Sequence, residues 1–182
     1  LSDIPQTINF DSSDVCVIDL TLEHTIDQEF ECTNGEYTDY YKVQASYDLQ
    51  ENLARTKLML YKGKVIGFIS IAMAHMEKER SPITIGKQTA GTIPALLISH
   101  LATHKQYRRK KVATRLVDQA VSIAVGTSEK IGCRYVMLNP ENDDEVRKFY
   151  SAYGFTYLEH DDRDNHDAFI LDIKLDKKQQ QN

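Results

Sequence analysis

Six cations fall within eleven residues between Lys105 and Arg115: Lys105, Arg108, Arg109, Lys110, Lys111 and Arg115. Leu96, Leu97, Ile98, Leu101 and Ala102 form an apolar run before them. Ala113, Leu116, Val117, Ala120, Val121 and Ala124 recur behind them at helical spacing. The stretch reads as a buried strand, a basic turn and the start of an amphipathic helix. Such a turn is suited to binding anions. The first N–H groups of a helix have no partner within it, the helix dipole is positive there, and the side chains add full charges. A run of like charge is ordinarily a solvated face. Here the run sits at a strand-to-helix turn rather than along a helix, which favours an anion site. The net charge of −5 sharpens the contrast, because the cations are concentrated against an acidic background.

The other elements must hold that turn in place. Val15 to Leu20 reads as a short strand. A helix is expected from about Gly35 to Leu53, with Tyr37, Tyr41, Ala45, Leu49 and Leu53 at intervals of four, Tyr40 beside them, and the stripe facing the core. Thr56 to Tyr61 and Val65 to Met76 read as antiparallel strands about a Lys62-Gly63-Lys64 turn. The second is apolar on both faces and is expected at the centre of the sheet. Residues 77–94, with Pro82, Gly86, Gly91 and Pro94, form a long loop, either a substrate-side lid or a surface excursion. After the 95–103 strand and the basic turn comes a helix from about Val112 to Ile131, ended by Gly132. Arg134 to Leu138 is a further strand. A short helix capped by Asp143 or Asn142 then places Val146, Phe149, Tyr150 and Tyr153 on one face and stops at Gly154. Phe155 to Leu158 and Ala168 to Leu175 close the chain as a strand pair. The strands around residues 98 and 136, linked by a helix, are expected as parallel neighbours. The expected class is α/β, with one domain over residues 1–176 and a disordered tail at 177–182.

Two motifs in this order resemble the GNAT superfamily of acyl-CoA-dependent N-acetyltransferases. One is the CoA pyrophosphate loop: Arg or Gln, two residues, Gly, one residue, then Gly or Ala. It falls on Arg108, Lys111 and Ala113, with Lys111 where glycine is usual and Arg109 where glycine is frequent. The other is a late helix with Asn, two residues, Ala, then an apolar-aromatic pair and Gly-Phe. It falls on Asp143, Val146, Phe149-Tyr150 and Gly154-Phe155. The resemblance covers about residues 56–160. It implies a mixed, mainly antiparallel central sheet with a parallel pair splayed for CoA and helices on both faces.

The same resemblance implies acetyl-CoA as co-substrate and direct attack by a primary amine. The backbone N–H groups from Arg109 through Lys110, Lys111 and Val112 to Ala113, with Arg108 and Thr114 beside them, would wrap the diphosphate. Leu101, Ala102 and Thr103 would pair with the pantetheine amides, and Asn142, adjacent to Asp143, would stand by the family's Asn position. Tyr150 matches the general acid that protonates the departing thiolate; a phenol of pKa ~10 is neutral at pH 7 and can donate. No acidic residue interrupts the 95–103 strand, so the candidate bases are His100 on it and His75 on its neighbour, although a lone histidine in a strand is more often structural. An amine that arrives neutral needs no protein base.

The acceptor stays open between a small-molecule amine, a protein amino group and aminoacyl-tRNA. The order FECTNGEYTDYYKVQASYD, a hairpin, then PALLISHLATHKQYRRKKVATRL resembles the layout of GNAT toxins of toxin–antitoxin pairs, which acetylate aminoacyl-tRNA. The acidic net charge weighs against tRNA. Two rival classes remain: a non-catalytic CoA-binding module, and a nucleic-acid binder using residues 105–115 on phosphates. Cys16, Cys32 and Cys133 fit no zinc or CxxC spacing and read as reduced thiols. His160, Asp161, Asp162, Asp164, His166 and Asp167 also lack ligand spacing, so no metal is expected; they read as a solvated acidic loop suited to contacting a cationic amine. No apolar run approaches membrane-spanning length and no basic-then-apolar leader opens the sequence, so no membrane partner and a cytoplasmic location are expected. A homodimer is left open.

Overall fold

The computed structural model describes residues 11–82, 91–140, 143–161 and 166–174. Seven strands, β1 (Val15–Asp19), β2 (Arg55–Tyr61), β3 (Lys64–Glu77), β4 (Thr92–Thr103), β5 (Tyr135–Leu138), β6 (Thr156–Asp161) and β7 (His166–Asp172), form one sheet in the order β1-β2-β3-β4-β5-β7-β6. β4 and β5 run parallel, as their helical link requires, and the remaining pairs are antiparallel. The class expected from sequence, a mixed and mainly antiparallel sheet with one parallel pair, is the one found.

β3 is an interior strand, next to β4 at the middle of the seven, and its first half has no exposed face. Val65 through Ile71 are buried without a break, covered on both sides. On one face lies α3 (Val112–Lys130), whose Leu116, Val117, Ala120 and Ala124 pack on Ile66, Ile69, Leu96 and Val136. On the other lie α1 (Gly35–Asp39), a π turn (Tyr40–Gln44) and α2 (Ala45–Gln50), which with Phe30 cover Leu58, Val65 and Phe68. α4 (Asp144–Tyr153) joins the α3 side, with Tyr150 in the same core.

Two expectations need correction. The tyrosine stripe holds through Tyr41 and Ala45, both fully buried, but Leu53 is 59% exposed. The helix ends at Gln50, and Asn52 turns the chain with a left-handed φ of 61°. β4 also begins earlier than 95, at Thr92, despite Pro94. That proline enters the ladder through its carbonyl, which accepts the Arg134 N–H at 2.8 Å, so its missing donor is not needed. Of the predicted 77–94 loop, residues 83–90 lie outside the described residues. So do Asn142, Asp162, Asp164 and the 177–182 tail, together with the side chains of the acidic stretch from His160 to Asp167.

Gly67 fixes how closely α3 approaches the sheet. A Cβ there would lie 2.6 Å from Val112 Cγ1 and 2.9 Å from the Ala102 carbonyl oxygen. The missing side chain lets the first turn of α3 settle directly against β3 and β4.

Candidate active site

β4 and β5 pair only from Ala95 to Leu97 against Tyr135 to Met137, and then part. A bulge helps to separate them. Ser70 faces His100 while Ile71 faces Ile98, so Ser99 is the extra residue, and its Oγ donates to the Ser70 carbonyl at 3.2 Å. Beyond it the open edge of β4 borders a cleft of about 580 Å³. Leu101, Ala102 and Thr103 form one wall, and Leu138, Asn139 and Pro140 form the other.

The basic turn closes one side. A 3-10 turn over Lys105–Tyr107 follows β4, capped by the His104 side chain, which accepts from the Gln106 N–H at 3.2 Å. Its base is tied down: Tyr107 packs edge-on to Tyr61, and Lys105 pairs with Glu31. Arg109 and Lys111 then take φ of 60°, the left-handed conformation that glycine adopts freely. Each costs about 1–2 kcal/mol for a residue with a side chain. The glycine positions of the sequence motif thus keep glycine's backbone shape without glycine. α3 starts straight from Lys111 with no side-chain cap. Its first N–H groups lack intrahelical acceptors, and Val112, Ala113 and Thr114 line the cleft. Arg108, Arg109 and Lys111 line it too; Lys110 sits in the same turn off the cleft wall.

α4 supplies the floor. Asp143 caps it, its Oδ1 accepting from the Glu145 and Val146 N–H groups at 2.7 and 3.1 Å. Two turns on, Tyr150 reaches the cleft at 6% exposure, ringed by Phe149, Phe155 and Phe169. Burial pushes its phenol above the ordinary range, with the neighbouring Tyr37 a smaller influence in the same direction. The phenol therefore keeps its proton at neutral pH, and the phenolate left when it donates has to be reprotonated promptly because the same burial disfavours that charge.

His100 lies behind the wall, outside the cleft lining. It stacks on Tyr40 with ring centroids 3.5 Å apart and meets Tyr37 edge-on at 5.3 Å. Burial pulls its imidazole pKa down, opposed by the Asp48 carboxylate. Its Nδ1 is 3.2 Å from Ser99 Oγ, and Ser99 does line the cleft. His75 is exposed on β3, opposite Pro94, away from the cleft. Among the described residues no group of three His, Cys, Asp or Glu side chains is placed to hold a metal, and no helix is long and apolar enough to cross a membrane.

Sequence reasoning missed four wall residues from the opposite face of the sheet: Cys32, Thr33, Asn34 and Tyr37. Asn34 caps α1 by accepting the Glu36 N–H at 2.8 Å, and an Asn-Gly at a helix start was the available signal. Gly67, a lone glycine inside an apolar strand, was another. Glu145 gave none.

The parted sheet, the uncapped helix start beside it and the buried phenol beneath are the framework of an acyl-transfer enzyme. The acetyltransferase (GNAT) domain matches residues 54–157, and the chain belongs to that family of acetyl-CoA-dependent acetyltransferases. A tRNA-acetylating toxin of Mycobacterium tuberculosis (strain ATCC 25618 / H37Rv) is 23% identical over 117 residues, covering 64% of this chain and 70% of the relative. The structure of AtaT complexed with acetyl-methionyl-tRNAfMet superposes with a TM-score of 0.81 at 18% identity, over 90% of this chain and 98% of that one. A mutant AtaT toxin bound to acetyl-CoA and the C-terminus of the antitoxin AtaR gives 0.74 at 17% identity, over 89% and 95%.

Proposed function

We propose that this chain transfers the acetyl group of acetyl-CoA to the α-amino group of an aminoacyl-tRNA. The observation that carries this reading is the relative already named as a tRNA-acetylating toxin, together with a matching fold solved on acetylated tRNA that spans nearly the whole chain. The acceptor left open by the sequence is thereby narrowed toward the toxin layout. The net charge that weighed against tRNA counts for less, because the cations gather at the cleft mouth.

In this reading the diphosphate of acetyl-CoA docks on the N–H groups of Val112, Ala113 and Thr114, with Arg108, Arg109 and Lys111 around it and Lys110 adding charge from behind. The pantetheine arm lies along Leu101, Ala102 and Thr103, whose edge is left unpaired by β5. The thioester then sits over Tyr150. The amine nitrogen attacks the carbonyl carbon, the C–S bond breaks, and the Tyr150 hydroxyl gives its proton to the leaving sulfur. The ammonium proton of the tetrahedral intermediate is lost to water, and a proton returned through water restores the Tyr150 hydroxyl. His100 contributes at one remove, as a neutral imidazole hydrogen-bonded to Ser99 on the wall. The acceptor enters beside Asn34 and Tyr37. An antitoxin is the expected protein partner.

The test is a thiol-release assay with acetyl-CoA over a panel of aminoacyl-tRNA, uncharged tRNA, amino-acid amides, polyamines and a lysine peptide, with products identified by mass spectrometry. Acetylation of the aminoacyl-tRNA alone is expected. Turnover confined to free amines or the peptide would overturn the acceptor assignment.

A further inference from the structure

One carboxylate on the cleft wall faces the wrong way for an enzyme whose co-substrate is anionic. Glu145, in the first turn of α4, accepts from Arg108 Nη2 at 3.4 Å and from Arg109 Nη2 at 3.3 Å, and all three residues line the cleft. The two guanidinium groups come from the cationic turn; the carboxylate comes from the opposite side of the opening. We infer that Glu145 is an internal competitor for the diphosphate: it holds Arg108 and Arg109 when the cleft is empty and must release them when acetyl-CoA binds. The inference rests on the reading that this turn binds the diphosphate.

Three features support competition rather than plain structural pairing. Both contacts are long for charge-assisted hydrogen bonds, and the Glu145 side chain is 66% exposed, so the grip is weak enough to yield. The helix start that Glu145 occupies is already capped by Asp143, so α4 does not need this carboxylate for its first turn. The neighbouring Asp144 shares that turn without touching the cleft wall, so the placement of Glu145 is specific. With the diphosphate docked, the carboxylate would face it across the same arginines and repel it. Glu145 therefore sets co-substrate affinity, and on CoA departure it retakes the two arginines.

Calorimetric titrations at low ionic strength decide it, with acetyl-CoA and acetyl-pantetheine as probes and Glu145→Gln, Asp144→Asn and Arg108→Ala as variants. Glu145→Gln is expected to bind acetyl-CoA about threefold more tightly, the scale of one exposed ion pair. The gain should shrink toward nothing at about 0.5 M salt. Acetyl-pantetheine, which lacks the diphosphate, should bind the variant and the parent alike. Asp144→Asn removes the same charge from the same turn and should leave acetyl-CoA affinity unchanged. An unchanged or weaker affinity in Glu145→Gln, or an equal gain in Asp144→Asn, overturns the competitor role. If Arg108→Ala still loses affinity in that case, the diphosphate reading survives. If Arg108→Ala changes nothing either, both fall.

Discussion

Two helices begin at the same cleft, and they begin differently. α4 closes its own first turn: Asp143 takes two of its N–H groups, and Asp144 and Glu145 set negative charge against the positive end of the dipole. α3 leaves its first turn open. It starts from a left-handed Lys111 with no side-chain cap and carries its cations at the end where they are least favourable. Judged by stability alone, α4 is well begun and α3 badly. The difference is what the proposed reading requires, with the α3 start kept open for an external anion and the strain at Arg109 and Lys111 accepted for a ligand.

The comparison can be broken at its strongest point by Tyr150→Phe. If α4 serves the chemistry and α3 the co-substrate, turnover should fall at least about a hundredfold while acetyl-CoA affinity holds. A parallel loss of affinity, read by titration, would mean that Tyr150 is mainly packing. The same phenol predicts a pH profile. Burial holds its pKa up, so kcat should stay level past about pH 10, where an ordinary phenol ionises. The sign for stability is the reverse of a carboxylate's. With the folded pKa raised, this group's contribution is full below about pH 10 and is lost as pH climbs from the unfolded toward the folded value. Circular dichroism at each pH separates that loss from a loss of catalysis.

Gly67→Ala attacks α3 from beneath. The added Cβ meets Val112 and the Ala102 carbonyl, so the helix start or the β4 rim must move. A loss of about 1–3 kcal/mol in denaturant unfolding is expected, with weaker acetyl-CoA binding. Arg108→Ala with Lys110→Ala should cost about tenfold in acetyl-CoA affinity and flatten its salt dependence, with little change in the melting temperature. Asp143→Ala should do the opposite, costing about 1 kcal/mol of stability as a lost cap. The smallest effect is Lys111→Gly. Relieving the left-handed strain should stabilise the fold by about 1 kcal/mol, while the lost charge weakens acetyl-CoA slightly.

The order of elements was legible because its signals are local. The apolar runs of β3 and β4, the helical spacing behind Lys111 and the Asp143 cap each lie within one short window of sequence. The cleft wall proposed for the co-substrate was legible for the same reason, since it falls within one continuous segment from Leu101 to Thr114. Asn142 lies outside the described residues, and Lys110 sits in the turn off the wall. His100 was drawn to the site by its place on β4, but alternation sends its ring to the other face, against Tyr40 and Tyr37.

What the chain determined alone is therefore its class and its cationic turn: period, capping residues and charge density are properties of neighbours in sequence. What only the folded molecule decided is where β4 leaves β5, that a bulge at Ser99 helps to part them, that Gly67 lets α3 come close, and that Glu145 reaches across to the arginines. Each depends on residues tens of positions apart meeting in space. A side chain's sequence neighbours say nothing of what the sheet will bring opposite it.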